Sequence, residues 1–152
     1  MRRFVLLIVL GASVISTAAC SYVTDFVIVN ESDAPVIVRY EATDGPGTFV
    51  PSVTPAVVPA ADLSEDGQQW TPIEFQVDEA SRAVITRLNP GQALRIATMN
   101  HYSGHNYPND AYKYQIRRIT VSGNRGELDL AGDQARTSFT EVARTLYTLT
   151  YK

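Results

Sequence analysis

Val36-Ile37-Val38-Arg39-Tyr40-Glu41 decides the fold. Val36, Val38 and Tyr40 alternate with Ile37, Arg39 and Glu41. Side chains along a strand point to opposite faces in turn, so a repeat of two predicts one face on a core and one toward water. Pro35 opens the run, and the turn formers Asn30-Glu31-Ser32-Asp33 stand before it. Upstream, Asp25-Phe26-Val27-Ile28-Val29-Asn30 is a run of β-forming residues ending in that turn. Two such runs so close in sequence predict an antiparallel hairpin.

The same pattern recurs downstream. After Pro72, Ile73, Phe75 and Val77 alternate with Glu74, Gln76 and Asp78. Glu79-Ala80-Ser81 reads as a turn and Arg82 to Leu88 as a strand. Asn89-Pro90-Gly91 is a turn with a mechanism, since Pro fixes φ and Gly permits positive φ. Gln92 to Met99 follows, with Leu94 and Ile96 on one face and Arg95 on the other. Tyr112 to Val121 is the longest strand candidate, and its phase changes. Tyr112, Tyr114 and Ile116 share one face; Ile119 and Val121 belong to the other, and Arg117-Arg118 lies at the change. One extra residue re-aims everything after it, so a β-bulge at the arginine pair would return both sets to one core. Ser122 to Gly126 is a turn, and Leu128 and Leu130 alternate with Glu127 and Asp129. Within Gly132 to Thr145, Ser138 and Glu141 have capping-box spacing and allow one helical turn. Tyr147, Leu149 and Tyr151 close the chain as a strand.

From residue 43 to 71 the pattern collapses. Gly45-Pro46-Gly47, Pro51, Pro55 and Pro59 cannot supply a central strand, because proline lacks the ladder donor. The expectation is a long Pro-rich loop with one short edge strand near Thr48-Phe49-Val50. Seven to nine short strands separated by turns predict an all-β protein, an antiparallel β-sandwich of immunoglobulin-like architecture, with a small β-barrel as the alternative. The Cys-Trp-Cys spacing of antibody domains is absent, so this concerns architecture alone.

The chain begins with Arg2-Arg3, an apolar run from Phe4 to Ile15, and Ser16-Thr17-Ala18-Ala19-Cys20. A positive start, a short apolar middle and small residues at a cut site make a secretory signal. A transmembrane helix needs roughly 20 apolar residues; this run is shorter and is interrupted by Gly11, Ser13 and Ser16. Thr17-x-Ala19 or Ser16-x-Ala18 would serve a general signal peptidase. Ala18-Ala19-Cys20 resembles the signal of bacterial lipoproteins, with Thr17 where that pattern has an aliphatic residue. The resemblance implies that Cys20 is acylated, by chains such as palmitate, and becomes the mature N-terminus. Cys20 is the only cysteine, so no internal disulfide can form, and acylation uses the otherwise unpaired thiol. Several acyl chains satisfy the need for more than one in stable anchoring. Ser21, rather than Asp, follows the cysteine; by resemblance to enterobacterial sorting this points to the outer membrane, periplasmic face, over the inner. The expected organisation is a signal peptide over 1–19, a lipidated N-terminus and short tether over 20–24, and a single β-sandwich domain over 25–152.

The chain carries 13 Lys and Arg against 16 Asp and Glu. Removing Arg2 and Arg3 leaves 11 against 16, a formal charge of −5. Nucleic acid rewards a basic surface, so it is not an expected partner. The expected attachment to the membrane runs through the N-terminal lipid.

Both histidines fall in Met99-Asn100-His101-Tyr102-Ser103-Gly104-His105-Asn106-Tyr107-Pro108-Asn109-Asp110. Imidazole suits copper or zinc and thioether suits Cu(I), so Met99, His101 and His105 form a candidate metal set. The spacing is not diagnostic: Gly104 and Pro108 oppose a helix, and a zinc site needs three or four ligands in fixed geometry. Tyr102 and Tyr107 are candidate contacts to an envelope protein or glycan, because tyrosine joins a large apolar body to a polar tip. Tyr112 and Tyr114 read as core. Catalysis finds no footing. Ser103 and His105 are too local for a triad, the carboxylates are scattered on outward positions, and no phosphate-binding glycine loop occurs. Arg87, Arg95, Arg117 and Arg118 read as a solvated row paired with Glu74, Asp78 or Glu127. The expectation is a noncatalytic, membrane-anchored envelope lipoprotein without a cofactor, with a periplasmic metal-binding module as the alternative.

Overall fold

Phe26, Val27, Ile28 and Val29 are consecutive and all buried, which requires a strand covered on both faces. The computed structural model describes residues 22–42, 53–64, 68–101 and 116–152. Its strands in chain order are β1 (Tyr22–Asn30), β2 (Val36–Ala42), β3 (Ala56–Pro59), β4 (Thr71–Pro72), β5 (Gln76–Asp78) and β6 (Ala83–Leu88). They continue with β7 (Gln92–His101), β8 (Ile116–Gly123), β9 (Gly126–Ala131), β10 (Thr140–Ala143) and β11 (Leu146–Tyr151). A 3-10 turn (Ala60–Asp62) and a five-residue helix, α1 (Asp133–Thr137), complete the elements.

The strands form two sheets, ordered β10-β11-β1-β7-β3-β4 and β5-β6-β2-β8-β9. The protein is an all-β sandwich, and the two sheets do not close into a barrel. One pair departs from the expected antiparallel arrangement: β1 and β11 run parallel, from Asp25 opposite Leu146 to Asn30 opposite Tyr151.

The main core lies between the sheets. Phe26, Ile28, Leu94, Leu149 and Tyr151 from one meet Val36, Val38, Tyr40, Val84, Leu88, Ile119 and Val121 from the other. Full burial of such side chains contributes roughly 1.5–3 kcal/mol each. The ring of Phe26 stacks on Tyr147 at 5.4 Å and meets the edge of Phe139 at 5.5 Å. A second, smaller core covers the outer face of the β1 sheet. There Val27, Val29, Val58, Ala93 and Leu146 are covered by Ala60, Leu63 and Trp70.

The expected hairpin between the first two runs is not formed. β1 and β2 belong to different sheets, and residues 31–35 turn the chain from one sheet to the other. Asn30, fully buried, holds this corner. Its Nδ2 donates to the carbonyls of Ala34 at 2.9 Å and Leu88 at 3.1 Å. Its Oδ1 accepts from the Ser32 amide at 3.0 Å and the Ser32 hydroxyl at 2.6 Å. A buried amide with all these partners stabilises one corner geometry, which repetition of apolar residues does not encode.

The bulge expected at the arginine pair is present. Glu41 stands opposite Arg118 and Ala42 opposite Ile116, so Arg117 is the additional residue. Ile116, Ile119 and Val121 all reach the core as a result. The Arg117 carbonyl, turned out of the ladder, accepts from the Gly132 amide at 2.8 Å.

Four other expectations change. The Pro-rich stretch 43–71 contains a strand, β3, whose Ala56, Val57 and Val58 are buried; Pro59 falls at its end, where no ladder donor is required. Residues 48–50 lie outside the described residues. The strand expected from Ile73 to Asp78 is divided: β4 pairs with β3 in one sheet and β5 with β6 in the other, so 73–75 cross between sheets. The Glu74 carbonyl accepts from the Thr86 hydroxyl at 2.7 Å at this crossing. The helical turn is found before Ser138, not after it. Ser138 is the C-cap of α1, and its hydroxyl donates to the Gln134 carbonyl at 2.7 Å. Finally, β1 begins at Tyr22, so three residues of the expected tether over 20–24 belong to the sandwich.

Candidate functional site

The strand pairing places Met99 and His101 level with the start of β1. β1 and β7 are antiparallel, with Tyr22 opposite His101 and Thr24 opposite Met99. Met99 and His101 therefore stand two apart at the end of β7, beside the strand that starts two residues after Cys20. Cys20, Tyr102, His105 and Tyr107 lie outside the described residues, as do Tyr112 and Tyr114. Among the described residues, no three His, Cys, Asp or Glu side chains are grouped as metal ligands would be. Among those residues, too, no helix is long and apolar enough to cross a membrane.

The arginines are distributed differently from the expected solvated row. Glu41, 7 % exposed, is the centre of a charged group on the outer face of the β2 sheet. Arg117 reaches Glu41 Oε2 through Nε at 3.2 Å and Nη2 at 2.8 Å. Arg39 donates to Glu41 Oε1 and, through Nη2, to the Ser81 hydroxyl at 2.7 Å. Burial pushes the Glu41 carboxyl up, but the Arg39 and Arg117 guanidiniums outweigh it and hold the group below the usual carboxylate range. Period-two reading placed Glu41 on a wet face; it gave no sign that two neighbouring arginines would enclose it.

Arg118 turns the other way from its neighbour. Its Nε and Nη2 donate to the two oxygens of Asp129 at 2.7 and 2.5 Å. This fork on a carboxylate is the bidentate geometry for which guanidinium is suited. Its hydrogen bonds lower the Asp129 carboxyl, and the same contact raises Arg118. Asp78 is lowered first by the Ser81 hydroxyl, which donates to it at 2.5 Å.

Arg95 takes a third arrangement. Its guanidinium carbon lies 4.8 Å from the centre of the Trp70 ring, on the outer face of the β1 sheet. Cation and ring together close the edge of the smaller core. Trp70 was not among the residues singled out from sequence, since a lone tryptophan in an irregular stretch carries no periodic signal.

These arrangements are chemically quiet. Glu41, Asp78 and Asp129, lowered by their donors, stay ionised near neutrality and already accept hydrogen bonds from arginine or serine. A general acid or base needs a pKa close to the working pH, and these shifts run away from it. Comparison with known protein families, curated proteins and solved structures found no match to this chain.

Proposed function

We propose that this protein is a lipid-anchored, noncatalytic component of the bacterial cell envelope whose β-sandwich serves as a binding or structural body. The carrying observation is the N-terminal series of Arg2-Arg3, an apolar run and Ala18-Ala19-Cys20. The position of β1 is compatible with it: the strand begins at Tyr22, so cleavage before Cys20 leaves two residues ahead of β1. The noncatalytic part rests on the sequence, in which no nucleophile with its base, carboxylate pair or phosphate-binding loop is recognisable. The partners in this reading are the bilayer, through the Cys20 lipid, and an envelope protein or glycan met by Tyr102 and Tyr107. Ser21 favours the outer membrane, periplasmic face.

Growth with an alkyne analogue of palmitate tests the anchor. The wild-type protein is expected to take up the label and sediment with membranes. Cys20→Ala is expected to lose the label and leave the membrane fraction. A Cys20→Ala protein that remains with membranes to the same extent would overturn the proposal.

A further inference from the structure

The two ends of the sandwich differ. At the end where β1 begins lie the start of β8, the end of β2, the β5–β6 turn at 79–82 and the β10–β11 turn at 144–145. The chain also leaves β2 and β7 there, after Ala42 and His101. At the opposite end lie the turns at 31–35, 89–91 and 124–125 and the C-terminal Lys152.

Val142 and Val23 are 55 % and 48 % exposed, more than any other large apolar side chain among the described residues. Both belong to the first end. Val23 is the second residue of β1, and Val142 is the bulged residue between Glu141 and Ala143, level with Leu146 and Asp25. The opposite end also carries an exposed apolar side chain, Ile37, 46 % exposed at the start of β2, but it is set among ion pairs. Lys152 pairs with Glu31 at 3.4 Å, Arg125 with Asp33 at 3.6 Å, and Asn124 donates to Asp33 at 3.2 Å.

We infer that the end bearing Val23 and Val142 rests against the lipid headgroups, with the long axis of β1 directed away from the bilayer. The inference rests on acylation of Cys20. Two residue steps separate Cys20 from Tyr22, and they reach at most about 7 Å. Tyr22 is not a loose end, because β1 is held by β7 from its first residue and by β11 from Asp25. The anchor therefore acts on an inner strand of the sheet rather than on a flexible leader. The nine residues of β1 place its far end roughly 26 Å higher, well clear of the headgroups.

The test uses full-length acylated protein in vesicles of phosphatidylethanolamine and phosphatidylglycerol containing a nickel-chelating lipid. Glu79→Cys and Glu31→Cys place a spin label at the near and far ends, both exposed, while the Cys20 thiol is occupied by lipid. The Glu79 label is expected to relax severalfold faster than the Glu31 label. Inserting about ten Gly and Ser residues after Ser21, a spacer of roughly 18 Å, is expected to shrink that difference. Equal relaxation at both sites on acylated, vesicle-bound protein overturns the orientation alone. A difference unchanged by the spacer overturns the short tether as its cause. Protein without an acyl group, or absent from floated vesicles, overturns the anchor and this orientation together.

Discussion

Arg117, the residue set aside by the bulge in β8, is the one whose guanidinium grips Glu41, with Nε and Nη2 at 3.2 and 2.8 Å from a single oxygen. The irregularity that realigns Ile116 with Ile119 and Val121 thus also supplies a cation to a nearly buried carboxylate. Arg39 supplies the other. Packing and charge pairing depend on the same additional residue.

Glu41→Gln keeps the size and removes the charge, leaving the two guanidiniums without the anion they share and with one acceptor oxygen in place of two. The expected loss is about 1–3 kcal/mol in urea unfolding, because an inner partner of a hydrogen-bonded ion group is removed. Arg117→Ala should cost less, since Arg117 is half-exposed and Arg39 remains. A double-mutant cycle that returned additive effects would contradict the coupling described here.

The acid limb of stability follows from the same group. The Glu41 carboxyl is lower when folded than its unfolded value of about 4.3. Its contribution is therefore complete above that value and is lost as pH falls through the folded one. Asp33, Asp78 and Asp129 are lowered too and act in the same direction. Unfolding free energies measured from pH 7 to pH 3 should fall below about pH 4.3, and less steeply for Glu41→Gln. Parallel curves for the two proteins would refute the assignment to Glu41.

Tyr40→Phe is expected to leave stability unchanged or raise it by up to about 1 kcal/mol. The Tyr40 hydroxyl is buried without a hydrogen-bond partner among the described residues, and burial pushes its pKa far up. Removing an unpaired buried polar group while keeping the ring removes its desolvation cost. Thermal unfolding of the pair decides; a clear drop on losing the hydroxyl would reveal a partner for it.

Gly123→Ala should destabilise by about 1–3 kcal/mol, the usual range for forcing an extra methyl group into a filled site. A Cβ there would come within 2.8 Å of Val36 Cγ1 and 2.9 Å of the Tyr151 hydroxyl. That hydroxyl is fixed, because it donates to the Gly126 carbonyl at 2.8 Å across the two sheets. Adding Tyr151→Phe should relieve only part of the loss, because the Val36 contact remains.

How much of this was legible in the sequence depends on what repetition can carry. The break in phase around Arg117-Arg118 located the bulge to that pair, because a shift in a two-residue repeat has one simple geometric cause. The Asn89-Pro90-Gly91 turn was equally plain, with Gly91 at φ 68°. Pairing partners were not plain. Nearness in sequence favoured a hairpin between β1 and β2, whereas the Asn30 hydrogen bonds carry the chain across to the other sheet. The strand β3 was concealed because it is short, buried on both faces and bounded by prolines, so nothing in it alternates. Ile73 to Asp78 alternates well, yet it serves two sheets in succession. Of the candidate residues, Met99 and His101 were placed by register; the enclosure of Glu41 and the contact of Arg95 with Trp70 emerged only once segments far apart in sequence stood side by side.

The parallel pairing of β1 with β11 has a consequence for assembly. The sheet joins the first described strand to the last, so one side of β1 stays an open edge until Tyr151 has been made. Contacts this distant in sequence form late and slowly, and an unpaired apolar edge invites other chains to add to it. A chain that stops short of β11 is thus in its most vulnerable condition, and arrival of the six residues of that strand both fills the core and seals the seam.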